Sequence, residues 1–290
     1  MVNVMLFYVK QGIKTILKQG LKVWYHIVGW FRRLGITITS NGKVFVSFRD
    51  RYKGKRCFLI GNGPSLTEAD LERLAQNKEI SFACNIIYHL YDKVTWRPTY
   101  HFISDVIYTV GLAEDIADSI DTTLFVNRDA YREMKKRPQN LVYVNCINQK
   151  RYIVSNNILA YYIPAQATVM TFMLEMAMYM GFKEIYLLGV DCTNSFTKGH
   201  FTKDYVPSEL DEYNLNRARR TMNRPNMTLE ELGEYRRERS IMAYQKIQEY
   251  ACKHGVKIYN ASRGGELNVY ERVGFDTLMD EENMHGYNTL

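Results

Sequence analysis

The sequence predicts an α/β fold built on a mainly parallel sheet with helices on both faces. Three observations carry this. Short apolar runs alternate with longer stretches of helical period. The first run ends in a glycine-rich turn, Gly61-Asn62-Gly63-Pro64-Ser65. Nearly every run ends in a polar residue, among them Asn85, Ser104-Asp105, Asn127, Asn145, Asp191 and Asn260. Parallel sheets hold ligands at the carboxyl ends of their strands, so this recurrence points to a binding edge.

Composition bounds the reading. The 290 residues suffice for one large domain plus an addition, and 46% apolar with 24% charged residues is ordinary for a globular chain. No apolar run is long enough for a membrane-spanning helix. Lys10, Lys14, Lys18 and Lys22 interrupt any secretory apolar segment. The five cysteines are scattered with no C-x-x-C pair, the usage of a reducing compartment, and a zinc site is disfavoured. These features predict a cytoplasmic protein. The net charge of +7 is uneven: residues 1–56 hold twelve Lys and Arg against the single acid Asp50, whereas the remainder is slightly acidic. The chain therefore divides into a basic extension, 1–53, and a main domain, 54–290.

Along the chain, residues 4–33 have a helical period. Lys14, Lys18, Lys22, His26 and Arg33 fall on one side of the wheel, with Lys10 and Arg32 at its edge. Ile13, Ile16, Leu17, Val23, Trp24, Ile27, Trp30 and Phe31 fall on the other. Such a helix suits an anionic membrane surface, placing the protein peripherally at the inner face. The alternative is packing on the domain or on a second subunit of a homo-oligomer. Nucleic acid is disfavoured because the acidic body offers no second basic surface. Residues 36–48 read as a small hairpin around Asn41-Gly42.

In the main domain, 57–60 is a buried parallel strand. A helix follows from about Ser65, with Pro64 at its mouth, Ser65 and Glu68 as a capping box, and Leu66, Leu71 and Leu74 facing the sheet. Further strands are expected over 80–84, 100–103, 123–126, 141–144, 184–188 and 256–259. A Met-rich buried helix occupies 164–180, ended by Gly181. Residues 192–228 are polar with little periodicity and read as a lid or insertion. A long helix spans 229–254. There is no internal repeat.

The motifs point to a nucleotide. Two glycines before a helix allow close backbone approach, and the helix N-terminus suits a phosphate. The turn is neither G-x-G-x-x-G, since Leu66 stands at the third position, nor a Walker loop. Asp105 at a strand end suits ribose hydroxyls or Mg²⁺. His200, with Tyr205 nearby, suits a general base in a lid. Arg263 between small residues suits an anion. Gly-x-Ser-x-Gly, H-E-x-x-H, kinase and Asp-x-Asp signatures are absent.

GNGPSL after a strand, then FACN, FISD, GFKEIYLLGVDC, GHFTKDY and KIYNASRGGEL together resemble the MptE-like family, named for 6-hydroxymethylpterin diphosphokinases. The opening and the EIYLLGVD segment also resemble bacterial CMP-sialic-acid-dependent sialyltransferases. The similarity covers roughly residues 54–278 and implies a Rossmann-like domain that handles nucleotides or nucleotide sugars. In the sialyltransferases the glycine turn and the Asn of the next strand hold the donor, roles that carry to Asn62, Ser65 and Asn85. Their strand-three Asn is Asp105 here. The basic residue before their buried helix has no counterpart in Ala165-Gln166-Ala167-Thr168, which puts Gln166 and Thr168 there instead. Their phosphate-holding tyrosines and His base follow the G-[VI]-D segment, as Tyr205 and His200 do here, at a different spacing.

The expected activity is a glycosyltransferase of surface polysaccharide synthesis acting on a glycan acceptor. Its donor is a nucleotide-activated sugar, CMP-linked by the resemblance, and no cofactor is tightly bound. Gly61 to Ser65 carry the phosphates, Asn85 and Asp105 the base and ribose. Gln166, Thr168, Asp191, Tyr205 and Arg263 bind phosphate or acceptor, and His200 is the base. The runner-up is an ATP- and Mg²⁺-dependent pyrophosphokinase with Asp105 and Asp191 as metal ligands. A third reading is a non-catalytic nucleotide-sugar-binding scaffold.

Overall fold

The computed structural model describes residues 2–147, 154, 158–162, 168–193 and 208–286. Eight strands form one sheet in which every pairing is parallel. They are β1 (Arg56–Ile60), β2 (Ser81–Cys84), β3 (Tyr100–Ile103), β4 (Thr123–Asn127), β5 (Leu141–Val144), β6 (Glu184–Leu188), β7 (Lys257–Asn260) and β8 (Glu271–Arg272). The order across the sheet is β5-β4-β3-β2-β1-β6-β7-β8. The chain thus builds outward from β1 to one edge, returns to the other flank of β1, and builds outward again. The reversal lies between β1 and β6. The fold is a Rossmann-like α/β architecture, as the alternation of runs predicts.

Ten helices are described: α1 (Val2–Arg33), α2 (Ser40–Val46), α3 (Glu68–Gln76), α4 (Val106–Gly111), α5 (Ala113–Ser119), α6 (Arg128–Glu133), α7 (Val169–Tyr179), α8 (Ser208–Met222), α9 (Leu229–Lys253) and α10 (Phe275–Gly286). They cover both faces because successive strand residues point to opposite sides. Cys57, Leu59, Phe82, Phe102 and Phe125 meet Met173, Met176 and Ala177 of α7 and Tyr244 and Ile247 of α9. Phe58, Ile60 and Ala83 meet Leu71 and Leu74 of α3 and Phe275 and Met279 of α10. Near the far edge, Leu124 and Val126 meet Ile116 of α5 and Ala130 of α6.

The expected hairpin at 36–48 is instead α2. Thr39 caps it, its hydroxyl accepting from Gly42 N at 3.0 Å. Phe45 and Phe48, three residues apart, both bury in the core, which is helical rather than alternating periodicity. Asn41 then does what a neighbouring strand would do. Its side chain donates to Tyr143 O at 2.9 Å and accepts from Tyr143 N at 2.9 Å, closing the outer edge of β5. The capping box of α3 is also displaced. Thr67 and Asp70 form it rather than Ser65 and Glu68, with Asp70 N to Thr67 Oγ1 at 3.2 Å and Thr67 N to Asp70 Oδ2 at 3.0 Å. The second half of the expected lid is helical: α8 buries Leu215 and Ala218 against Met227 and Leu232. Residues 194–207 of that stretch lie outside the described residues. The buried helix over 164–180 is observed as α7, residues 163–167 lying outside the described residues.

Replacing Asn41 with Ala leaves both peptide groups of Tyr143 without their partner. We expect a loss of about 2 kcal/mol in urea denaturation and faster hydrogen exchange of the Tyr143 amide.

Candidate functional site

The turns after β1 and β6 meet at the reversal of strand order, where open α/β sheets form their ligand crevice. They are locked together by backbone. Gly61 N donates to Leu188 O at 2.8 Å, and Gly63 N to Gly189 O at 2.8 Å. Ser65 N donates to Asp191 Oδ2 at 2.8 Å, and the Ser65 hydroxyl donates to Asp191 Oδ1. Asp191 is buried, and its carbonyl accepts from Glu266 N at 2.6 Å. The loop after β7 completes the joint, with the Ser262 hydroxyl accepting from Val190 N at 2.9 Å.

This geometry corrects the reading of the two glycines. A Cβ at Gly61 would lie 2.4 Å from Gly189 O, and one at Gly63 would lie 2.4 Å from Asp191 Oδ2. The close approach that needs glycine is therefore that of the protein's own second turn. The N–H groups of Gly61, Gly63 and Ser65, which the phosphate reading would use, are committed to β6 and its turn. At the start of α3, Thr67 N and Asp70 N are committed to the Thr67–Asp70 box. Asp191 is likewise a strut between loops, its carboxylate accepting from Ser65. Pro64 sits in this turn between Gly63 and Ser65.

Arg263 does grip an anion, but an internal one. Its Nη1 donates to the fully buried Asp70 Oδ1, and Nη2 to Asp276 Oδ1 at 2.9 Å. The guanidinium lies over the Phe275 ring at 5.5 Å, and the paired carboxylates hold its pKa still higher than usual. Arg263, expected to bind phosphate or acceptor, thus ties the loop after β7 to α3 and α10.

The strand-end asparagines are present along the carboxyl edge, and they stitch it. Asn62 Nδ2 donates to Cys84 O at 3.1 Å, joining the end of β1 to that of β2. Asn127 donates to Ser104 O at 2.7 Å and caps α6, accepting from Ala130 N at 2.7 Å. Asn145 donates to Ala160 O at 3.2 Å. Asn85 holds a left-handed conformation, φ 54°, at the end of β2. Asp105 is half-buried after β3, and its carbonyl accepts from Thr109 N at 3.0 Å, opening α4. Asn62, Asn85 and Asp105 thus follow three adjacent strands beside the reversal point. Thr168 heads α7 with its hydroxyl 3.1 Å from Tyr244 OH. Gln166, His200 and Tyr205 lie outside the described residues.

Sequence reasoning missed His101. It is fully buried in β3, with Nε2 2.7 Å from Asn85 O and Nδ1 3.5 Å from Tyr91 OH. Burial lowers its pKa to about 4. It is therefore neutral at neutral pH, with Nε2–H donating to the Asn85 carbonyl and Nδ1 accepting from Tyr91. That bond holds the left-handed Asn85 in place. The only sequence signal is a polar residue within an otherwise apolar strand. Two open grooves among the described residues lie elsewhere, one lined by Tyr88, Asp92, Arg97 and Asp115, the other by Tyr213, Asn216, Arg219 and Arg220.

Among known families, one described as 6-hydroxymethylpterin diphosphokinase MptE-like matches residues 37–197. No protein of curated function matches the chain. Among solved structures, the Maf glycosyltransferase of Magnetospirillum magneticum AMB-1 aligns at TM-score 0.48 and 13% identity, over 82% of this chain and 38% of that one. The chain thus spans well under half the length of that protein. The sialyltransferase CstII of Campylobacter jejuni, in complex with cytidine-5'-monophosphate, aligns at TM-score 0.44 and 16% identity, over 77% of this chain and 87% of that one. The same enzyme with CMP-3FNeuAc aligns at 0.44 and 17%, over 76% and 86%. The family resemblance drawn from the motifs reappears in the match over residues 37–197.

Gly63→Ala drives a methyl group into the Asp191 carboxylate, and we expect a destabilisation of roughly 3 kcal/mol in urea denaturation. Ser65→Ala removes one of the donors to a buried carboxylate and should lose about 2 kcal/mol. His101 sets a pH dependence. The folded pKa is about 4 against 6.5 for an ordinary imidazole, so between these values the unfolded chain binds a proton that the folded chain refuses. Its contribution to stability is thus full above pH 6.5 and is lost as the pH falls toward 4, by on the order of 3 kcal/mol. Melting curves across that window should show a smaller decline for His101→Gln.

Proposed function

Because this chain belongs to the 6-hydroxymethylpterin diphosphokinase MptE-like family, we propose that it is a transferase acting on a nucleotide-activated substrate, and specifically a glycosyltransferase of surface-glycan synthesis. The nucleoside of the donor lies along the ends of β1, β2 and β3, against Asn62, Asn85 and Asp105. The phosphate is received by side chains of the segments that follow β5 and β6, Gln166, Thr168 and Tyr205, because the glycine turn has given its N–H groups to β6. His200 removes the proton from the acceptor hydroxyl. The acceptor oxygen then attacks the anomeric carbon, and the sugar–phosphate bond breaks. The nucleotide leaves as an anion, stabilised by hydrogen-bond donors placed where that charge develops.

The observation that carries sugar transfer over diphosphate transfer is the state of Asp191. A magnesium-dependent diphosphokinase built on this chain would need Asp191 beside Asp105 as a ligand. Both Asp191 oxygens are engaged by Ser65. The second reading, an ATP- and Mg²⁺-dependent pyrophosphokinase, is favoured by the description of the family itself.

A thermal-shift panel on the full chain separates the two. We expect CMP, or another sugar nucleotide, to raise Tm without added metal. A rise seen only with ATP and Mg²⁺ would replace the first reading with the second. No rise with any nucleotide would overturn both. Asn85→Gly keeps the left-handed backbone accessible while removing the amide, and should weaken nucleotide binding by about tenfold in titration calorimetry. His200→Ala should lower kcat by roughly a hundredfold or more, with nucleotide affinity retained.

A further inference from the structure

Helix α1 docks on the domain by the side its sequence would expose. Among its residues 12–33, Tyr25, Gly29 and Arg32 are the buried ones. Tyr25 joins Ile147, Ala160 and Tyr161 in a small cluster and accepts a hydrogen bond from Arg128 Nη1 at 3.0 Å. Arg32 Nη1 donates to Leu159 O at 2.9 Å. At about 100° per residue, Tyr25 and Arg32 fall in the same sector as Lys14 and Lys18. The opposite face is left in solvent. Ile16 is 72% exposed, Trp24 52% and Trp30 55%, with Ile13, Leu17, Val23 and Ile27 beside them. The stripe continues past the helix through Leu34, Ile36 and Ile38, the last 73% exposed.

An amphipathic helix that merely covers its own domain buries its apolar face and exposes its charges. Here the apolar face is exposed, with Lys14 and Lys18 exposed as well, and the apolar stripe is longer than soluble monomers ordinarily present. Packing of α1 on its own domain therefore does not explain its apolar residues.

We infer that this face is a docking surface for an anionic lipid bilayer. Charge chooses the occupant. Residues 1–56 carry twelve Lys and Arg against one acid, and α1 itself has no acid in its first turn and Arg32 and Arg33 in its last. Two copies meeting through this stripe would bring two cationic helices together. An anionic headgroup layer gains about 1 kcal/mol per nearby cation, and the helix is about 10 Å across, so lysines on its far side still lie roughly within a Debye length of the lipid. Indole rings are the side chains that settle at headgroup depth. No described helix is long and apolar enough to cross a membrane, so α1 lies in the interface plane. The inference stands on α1 alone and does not depend on the proposed reaction.

The test is flotation of the full chain with vesicles of phosphatidylcholine, with and without about one third phosphatidylserine. We expect recovery with the anionic vesicles, weakened by salt, and a blue shift of tryptophan emission. The third tryptophan, Trp96, is buried, so that shift reports Trp24 and Trp30. The double variant Trp24→Glu, Trp30→Glu should lose roughly tenfold or more in vesicle affinity with Tm unchanged. Lys14→Glu with Lys18→Glu should abolish the preference for anionic lipid. Equal recovery in the soluble fraction with and without vesicles would overturn the inference. So would a dimer, seen by light scattering, that the tryptophan variant dissolves, because the face would then belong to a second copy.

Discussion

At the centre of the sheet, β1 and β6 end side by side, and their turns share one space. Gly61 and Gly63 make room for the turn of β6, whose Asp191 carboxylate in turn holds Ser65 by its N–H and its hydroxyl. A buried carboxylate is tolerable only when charge-assisted hydrogen bonds replace its water, and Ser65 supplies them. The rest of the carboxyl edge is assembled outward from this joint. Asn62, held between the two glycines, reaches β2. The β7 loop closes on Asp191 and Val190 from the opposite side.

The edge that results is polar but internally paired. Asparagine is suited to this because one amide can donate to a neighbouring loop and accept from another, as Asn127 does between Ser104 and Ala130. Beneath it, neutral His101 fixes the backbone of Asn85. A rigid row of amides standing at adjacent strand ends is preorganised, since little side-chain freedom is left to lose.

Much of the sheet was legible in the sequence because parallel strands buried on both faces are short apolar runs closed by polar residues. Strands β3, β5 and β6 have the expected bounds, β1, β2 and β4 differ by a residue at one end, and β7 is shifted by one residue. Asn41-Gly42 misled because the pair serves a helix's first turn as readily as a hairpin. The contrary signals were the Thr39 cap and the spacing of Phe45 and Phe48. The two-residue strand β8 carries too little pattern to be seen. For the site, the strand-end positions were legible, but their partners were not. Arg263 finds Asp70, and Ser65 finds Asp191, across 193 and 126 residues of sequence. Local spacing reveals which side chain wants an anion, not that the fold will supply one.

The strand order also sets a timetable for synthesis. Strands β1 to β5 emerge first and pair in sequence, leaving one side of β1 an open edge until residue 188 has left the ribosome. That edge is Arg56-Cys57-Phe58-Leu59-Ile60, apolar and nearly uncharged, the kind of strand that recruits a foreign partner. The central strand of the finished protein is therefore the exposed flank of the nascent one. The open flank of β1 is covered when β6 arrives, and only then can Asp191 reach Ser65.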